Sequence, residues 1–228
     1  GVANYGGLAS YHEAVARGDA PWSRADLLAR VGADRLDFAP DTGWGYSNVG
    51  YLFVRERIEA ATGLDLEAAL RALVLAPLGL DGVRLANAPG DLATAPAGYD
   101  PGWVVHGCLV GPPTAAVRFL HALLAGDLLD PARRRAMTAA HRLGAAVPGR
   151  PWTAHGYGLG LMIGEMAGAG PALGHSGGGP GSVAAAYHYP GRAVTVAAVA
   201  AGDDEGVVER AAADRALQVG RASGRPRP

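Results

Sequence analysis

An α+β fold is predicted from the order of periodicities along the chain. Helical spacing dominates to about residue 140, three extended runs follow, and a single helix closes the sequence. Helices and strands do not alternate as they would around a parallel sheet, and no internal repeat or linker divides the 228 residues. Apolar residues make up 49% and charged residues 18%, which is enough to bury a real core and too apolar for a disordered chain. The expected organisation is a mainly helical region over 1–155, C-terminal strands and a helix over 156–219, and a disordered tail over 220–228.

Each element has a local reason. Gly1 to Trp22 reads as a glycine-rich surface loop with a short helix near Tyr11–Arg17. Ser23 is placed to cap a helix reaching about Arg30, with Leu27, Leu28 and Val31 on its apolar side. Pro40-Asp41-Thr42-Gly43 is a turn cluster. A helix from about Val49 to Thr62 ends at Gly63, which suits the left-handed position after a helix. Asp65 caps the next one, where Leu66, Ala69, Leu70, Leu73 and Val74 keep helical spacing up to Pro77. Residues 81–112 are rich in Gly and Pro without period and predict a long ordered loop. Thr114 starts a helix with Val117, Leu120, Leu123 and Leu124 inward, ended by Gly126. Asp130-Pro131 sets a cap before a proline at the first position of a helix running to about Ala140. Tyr157–Gly164, Ser182–Tyr189 and Ala193–Ala200 predict strands, the last two joined through Tyr189-Pro190-Gly191-Arg192 as a type II turn. Asp203 or Asp204 caps a final helix through about Val219.

Composition excludes several function classes. A net charge of −1 gives no electrostatic basis for binding nucleic acid or an anionic membrane. No apolar run reaches the length of a membrane span. All twenty basic residues are arginine, so no cationic side chain can act as a lysine-type base. Cys108 is the single cysteine and reads as a small buried hydrophobe. The seven histidines show no close ligand spacing, so neither a metal nor any other cofactor is expected. His121 reads as a surface or interhelical residue, and Arg133-Arg134-Arg135 as a solvated helix face.

Two short motifs carry chemistry. In an extended Tyr46-Ser47-Asn48, Tyr46 and Asn48 project together while Ser47 points away. A phenol beside an amide offers a proton-transfer group and a two-way hydrogen-bonding group. Gly174-His175-Ser176-Gly177-Gly178 matches the G-x-S-x-G nucleophile elbow, but that turn needs a helix after the serine and a later acid followed by histidine. Gly179-Pro180-Gly181 and an expected strand follow instead, and no histidine comes after Asp203, Asp204 or Asp214.

The segment from Pro40 to Tyr51 resembles that of class C β-lactamases, their DD-peptidase relatives and related esterases. Leu75-Ala76-Pro77-Leu78-Gly79-Leu80, His106-Gly107, the Thr114 helix, Tyr157-Gly158-Leu159-Gly160-Leu161 and Gly174 to Gly178 continue the resemblance in the same order over about residues 1–218. The resemblance implies a β-lactamase/transpeptidase-like fold, a helical region packed on an antiparallel sheet. It implies acyl-enzyme chemistry on a small-molecule or peptide acyl substrate: an ester, a D-amino-acid peptide or a β-lactam. Tyr46, Asn48 and His175 would be catalytic, with Trp44, Ser176, Gly177 and Gly178 binding substrate. On this reading 174–178 is an edge strand, Ser176 hydrogen-bonds substrate, and the Gly178 N–H is an oxyanion donor.

The family's Ser-x-x-Lys is absent, since none of the six serines has a lysine three residues on. The expectation is therefore an N-terminally incomplete hydrolase, without the first strands and nucleophile helix and inactive alone. A non-catalytic binding protein of the same fold is the alternative. Ala193–Ala200 should then expose an unpaired edge, with poor solubility. The resemblance favours a peptidase or esterase-like hydrolase over a dedicated β-lactamase, and a periplasmic or extracytoplasmic location, with the cytoplasm left open.

Overall fold

The computed structural model of the chain describes residues 1–92 and 99–223. It divides into two compact units, residues 1–110 and 111–228. The division falls well before the expected boundary at 155, because the Pro113–Leu124 helix packs on the C-terminal strands.

The first unit holds helices α1 (Ala9–Arg17), α2 (Arg24–Val31), α3 (Asn48–Thr62) and α4 (Leu66–Leu70). Its ends follow local chemistry. Ser23 accepts from the Asp26 N–H, Asp65 accepts from the Ala68 N–H, and Gly63 sits at φ 69 after α3. Tyr5, Leu27, Val49 and Leu52 form its core. The expected helix from Asp65 to Pro77 is interrupted. Arg71–Leu75 forms a π-helical turn, and that extra residue leaves Leu73 exposed while Leu75 is buried. The expected loop over 81–112 contains a two-stranded antiparallel ladder, β1 (Arg84–Leu85) with β2 (Leu109–Val110). Residues 93–98 of that loop lie outside the described residues.

The second unit contains α5 (Pro113–Leu124), α6 (Pro131–Thr138) and a six-stranded antiparallel sheet of β3 (His141–Gly144), β4 (Trp152–Tyr157), β5 (Met162–Met166), β6 (Gly170–Gly179), β7 (Ser182–Tyr189) and β8 (Val194–Ala201). Helix α7 (Glu205–Ser223) follows. The strands pair in sequence order, leaving β8 at one edge of the sheet. The run Tyr157–Gly164 is not one strand: Tyr157 ends β4, Met162 begins β5, and Gly158-Leu159-Gly160-Leu161 turns between them, with Gly160 at φ 76. The connection at 190–193 is not a type II turn. It is a 3-10 turn with the left-handed residue at Ala193 (φ 51) instead of Gly191, the geometry of a four-residue hairpin loop. Helix α7 continues past Val219 into the expected tail, while residues 224–228 lie outside the described residues.

Side-chain alternation assigns the two faces of this sheet. Val183, Ala185, Tyr187 and Tyr189 of β7 join Val208, Ala212, Ala213 and Ala216 of α7 in one core. Ala186 joins Leu120 and Leu123 of α5 on the other face. The sheet is thus covered by α7 on one side and by α5 on the other. No helix among the described residues is long and apolar enough to cross a membrane.

Candidate active site

Tyr46-Ser47-Asn48 lies at the entrance to α3. Ser47 is the cap: its hydroxyl accepts from the Gly50 N–H at 3.0 Å and donates to the Ala3 carbonyl at 2.9 Å. Asn4 adds a second tie, its Oδ1 accepting from the Asn48 backbone N–H at 3.1 Å. The triplet is therefore fixed to residues 3–4 from both Ser47 and Asn48. Ser47 turns inward, while Tyr46 is 37% and Trp44 38% exposed. The Tyr46 ring lies 5.8 Å from that of Tyr51. Asn4 carries no signal in the sequence, because its partner is 44 residues away.

His175-Ser176-Gly177-Gly178 lies on β6, which runs between β5 and β7 and is not an edge strand over its length. Its pairing with β5 ends at Met162↔Gly174, whereas its pairing with β7 continues to Gly179↔Ser182. Among the described residues, 175–179 therefore have a strand neighbour on one side only. The glycines differ in purpose. A Cβ at Gly174 would meet the Ala186 carbonyl oxygen at 1.9 Å, so packing forbids it, but a Cβ at Gly177 meets nothing within 4 Å.

His175 and Ser176 face opposite ways. His175 pairs with Ala186, on the α5 side, and Ser176 pairs with Ala185, on the α7 side. The expected substrate-facing role of Ser176 does not fit this placement. Ser176 is 4% exposed; its hydroxyl accepts from Arg150 Nη2 at 2.6 Å and donates to Glu205 Oε2 at 2.6 Å. Behind it Glu209, 0% exposed, accepts from Arg150 Nε at 2.6 Å, Tyr187 Oη at 2.7 Å and Trp152 Nε1 at 3.0 Å. Burial would push the Glu209 carboxyl up, but the bonds from Arg150, Tyr187 and Trp152 outweigh it and hold it below the usual carboxylate range. Burial drives the Tyr187 phenol far upward, so it remains a donor to Glu209. This cluster fastens the motif strand to α7, and nothing local in the sequence announces it.

On the other face, Tyr157 Oη lies 2.6 Å from His175 Nε2, with the two rings edge to face at 5.6 Å. His175 Nδ1 contacts the Ser176 carbonyl oxygen. Burial pushes the imidazole below its ordinary value, and the opposing pulls of the Ser176 carbonyl and Glu205 do not undo it. Tyr157 belongs to a glycine-rich block legible in the sequence, but its partnership with His175 is not.

The remaining candidates stay apart from this chemistry. Burial pushes the Cys108 thiol up, away from the reactive thiolate. His121 is exposed, 6.2 Å from the His188 ring. Arg134 is not simply solvated, since it donates to the Leu124 and Leu129 carbonyls. Among the described residues no group of three or more His, Cys, Asp or Glu is placed to hold a metal ion.

An antiparallel sheet between helices, with Tyr-x-Asn at a helix entrance and His-x-Gly on a strand, defines a β-lactamase/transpeptidase-like fold. The beta-lactamase family model matches residues 5–221, and the chain belongs to that family. Among solved structures it is similar to a D-stereospecific amidohydrolase from Streptomyces sp., at 24% identity and a TM-score of 0.70, over 92% of this chain and 64% of that one. It is similar to the D-amino acid amidase of Ochrobactrum anthropi SV3 solved with L-phenylalanine amide, at 23% identity and a TM-score of 0.67, over 90% of this chain and 65% of that one. An octameric penicillin-binding protein homologue from Pyrococcus abyssi aligns at 18% identity and a TM-score of 0.70, over 96% of this chain and 53% of that one. The chain thus spans less than two thirds of the length of these structures. No curated protein matches it.

Proposed function

We propose that the chain is part of a serine hydrolase that works through an acyl-enzyme on an ester, a D-amino-acid peptide or amide, or a β-lactam. The family match over residues 5–221 carries this reading, together with the placement of both motifs on elements that present them. In the proposed reaction a serine hydroxyl attacks the acyl carbonyl, the leaving group departs with a proton, and water then releases the acid. Tyr46 handles the proton, Asn48 hydrogen-bonds the acyl amide, and Trp44 walls the substrate. On β6, the Gly178 N–H serves the oxyanion, and the open space over Gly177 admits substrate. Ser176 positions the strand and does not touch substrate. The D-amino-acid amidohydrolases among the structural neighbours favour an amidase or peptidase over a dedicated β-lactamase.

These 228 residues hold no Ser-x-x-Lys, so the nucleophile and its lysine are proposed to come from sequence beyond them, and the chain alone forms no acyl-enzyme. The test joins the reading frame upstream of Gly1 to this chain and offers a chromogenic ester, a β-lactam and a D-amino-acid amide. Mass spectrometry should find the acyl group on the serine of an upstream Ser-x-x-Lys. A frame with no such motif, or a restored serine that never acylates, favours the non-catalytic binding protein instead.

A further inference from the structure

The contact between Tyr157 and His175 says more about substrate than either motif does. The Ser176 carbonyl oxygen can only accept, so His175 Nδ1 facing it carries the ring proton. Nε2 is then the lone-pair nitrogen, and it accepts the Tyr157 hydroxyl at 2.6 Å. Tyr157 is itself held firmly. It closes the β4–β5 hairpin opposite Met162, the Gly158 N–H donates to the Leu161 carbonyl at 2.8 Å, and the Leu159 N–H donates to the Met137 carbonyl at 2.9 Å. A Cβ at Gly158 would meet the Met137 carbonyl oxygen at 2.3 Å, so the turn tolerates only glycine there. The hairpin thus delivers a phenol to the first residue of β6 beyond the end of β5.

We propose that Tyr157 is a positioning residue that sets specificity: it holds His175 as the neutral Nδ1–H tautomer, so that this strand offers substrate an uncharged ring and favours acyl compounds with an uncharged flanking group, amides and esters, over those ending in a free carboxylate. The proposal rests on the hydrolase reading above and narrows its substrate class. A carboxylate brought against a half-buried neutral ring loses water without gaining a countercharge. Protonating the ring to supply that charge would make Tyr157 give up donating to Nε2 and accept from it instead. The charged groups that act on this ring include Arg150, Glu205 and Glu209; burial is the largest influence and disfavours the imidazolium. Arg150, behind the strand, is bound to Glu209, Glu205 and Ser176 on the α7 side and is not turned to the other face.

The test uses the chain itself, so it does not require turnover. Nitrogen-15 imidazole spectra at neutral pH should show His175 protonated on Nδ1 only, and Tyr157→Phe, which leaves the Ser176 carbonyl in place, should raise the fraction carrying a proton on Nε2. A charged or Nε2-protonated His175 in the unaltered chain overturns the proposal whatever the variant does. Binding is then compared for an N-acetylated D-dipeptide with a free C-terminus and for its C-terminal amide. The amide should bind about tenfold more tightly, the scale of an uncompensated charge, and Tyr157→Phe should bring the ratio near one. A ratio unchanged by the substitution removes Tyr157 from specificity even if the tautomer is as stated. Failure of the restored enzyme to acylate would sink the hydrolase reading but leave both of these measurements decisive.

Discussion

The two motifs are held by opposite means. Tyr46-Ser47-Asn48 is fixed by neutral hydrogen bonds at the start of a helix, through Ser47 and Asn4. His175-Ser176-Gly177 is fixed by a buried charge cluster that runs from Ser176 through Arg150 to Glu209. The difference teaches where each site is vulnerable. A cap contributes modestly and fails gently. A buried carboxylate is stable only while all its donors are present, so losing one partner exposes the full desolvation cost of the rest.

The largest loss is expected at Glu209. Glu209→Ala strands Arg150, Tyr187 and Trp152 and should cost about 3–5 kcal/mol in chemical denaturation. A loss no greater than that of a helix cap would show that the charge cluster does not hold the strand. Next in size is Gly174→Ala, where the new Cβ collides with Ala186 and should cost about 1–3 kcal/mol. Gly177→Ala on the same strand should stay within about 0.5 kcal/mol and instead lower activity of the restored enzyme. Equal destabilisation by the two alanines would overturn the distinction drawn between these glycines.

On the helical side, Ser47→Ala should cost about 1 kcal/mol, measured by the same denaturation. Asn4→Ala should be no worse, since it removes a single acceptor. The smallest effect is on pH dependence. Glu209, His175, His188 and His106 all have folded values below their ordinary ones, so the unfolded chain binds these protons first. Their contribution is complete above the unfolded values, and it is lost as pH falls, first below the ordinary histidine value of about 6.5 and then below the glutamate value of about 4.3. Tm should therefore drop on acidification, and Glu209→Gln should flatten only the lower limb of the curve. A Tm independent of pH from 8 to 4 would contradict the three histidine assignments, and one that stays flat on further acidification would contradict that of Glu209.

Legibility in the sequence followed the distance between interacting residues. The caps at Ser23, Asp65 and Asp130 and the stop at Gly63 were readable because each partner lies within a few positions. The sequence suggests one strand over Tyr157–Gly164 because its apolar residues continue through a turn that only the β4–β5 register reveals. Asn4 and Arg150 were invisible, their partners lying 44 and 59 residues away.

By itself the sequence determined the α+β order, most helix ends and the two family motifs, because these depend on local backbone preference and residue chemistry. Alternation along β6 also required His175 and Ser176 to face opposite ways. Only the tertiary structure decided which of them meets α7. Burial against that helix gave Ser176 to the Arg150–Glu209 cluster, and the end of β5 at Gly174 left His175 to Tyr157. A strand's period is local, but the choice of its buried face belongs to what packs against it.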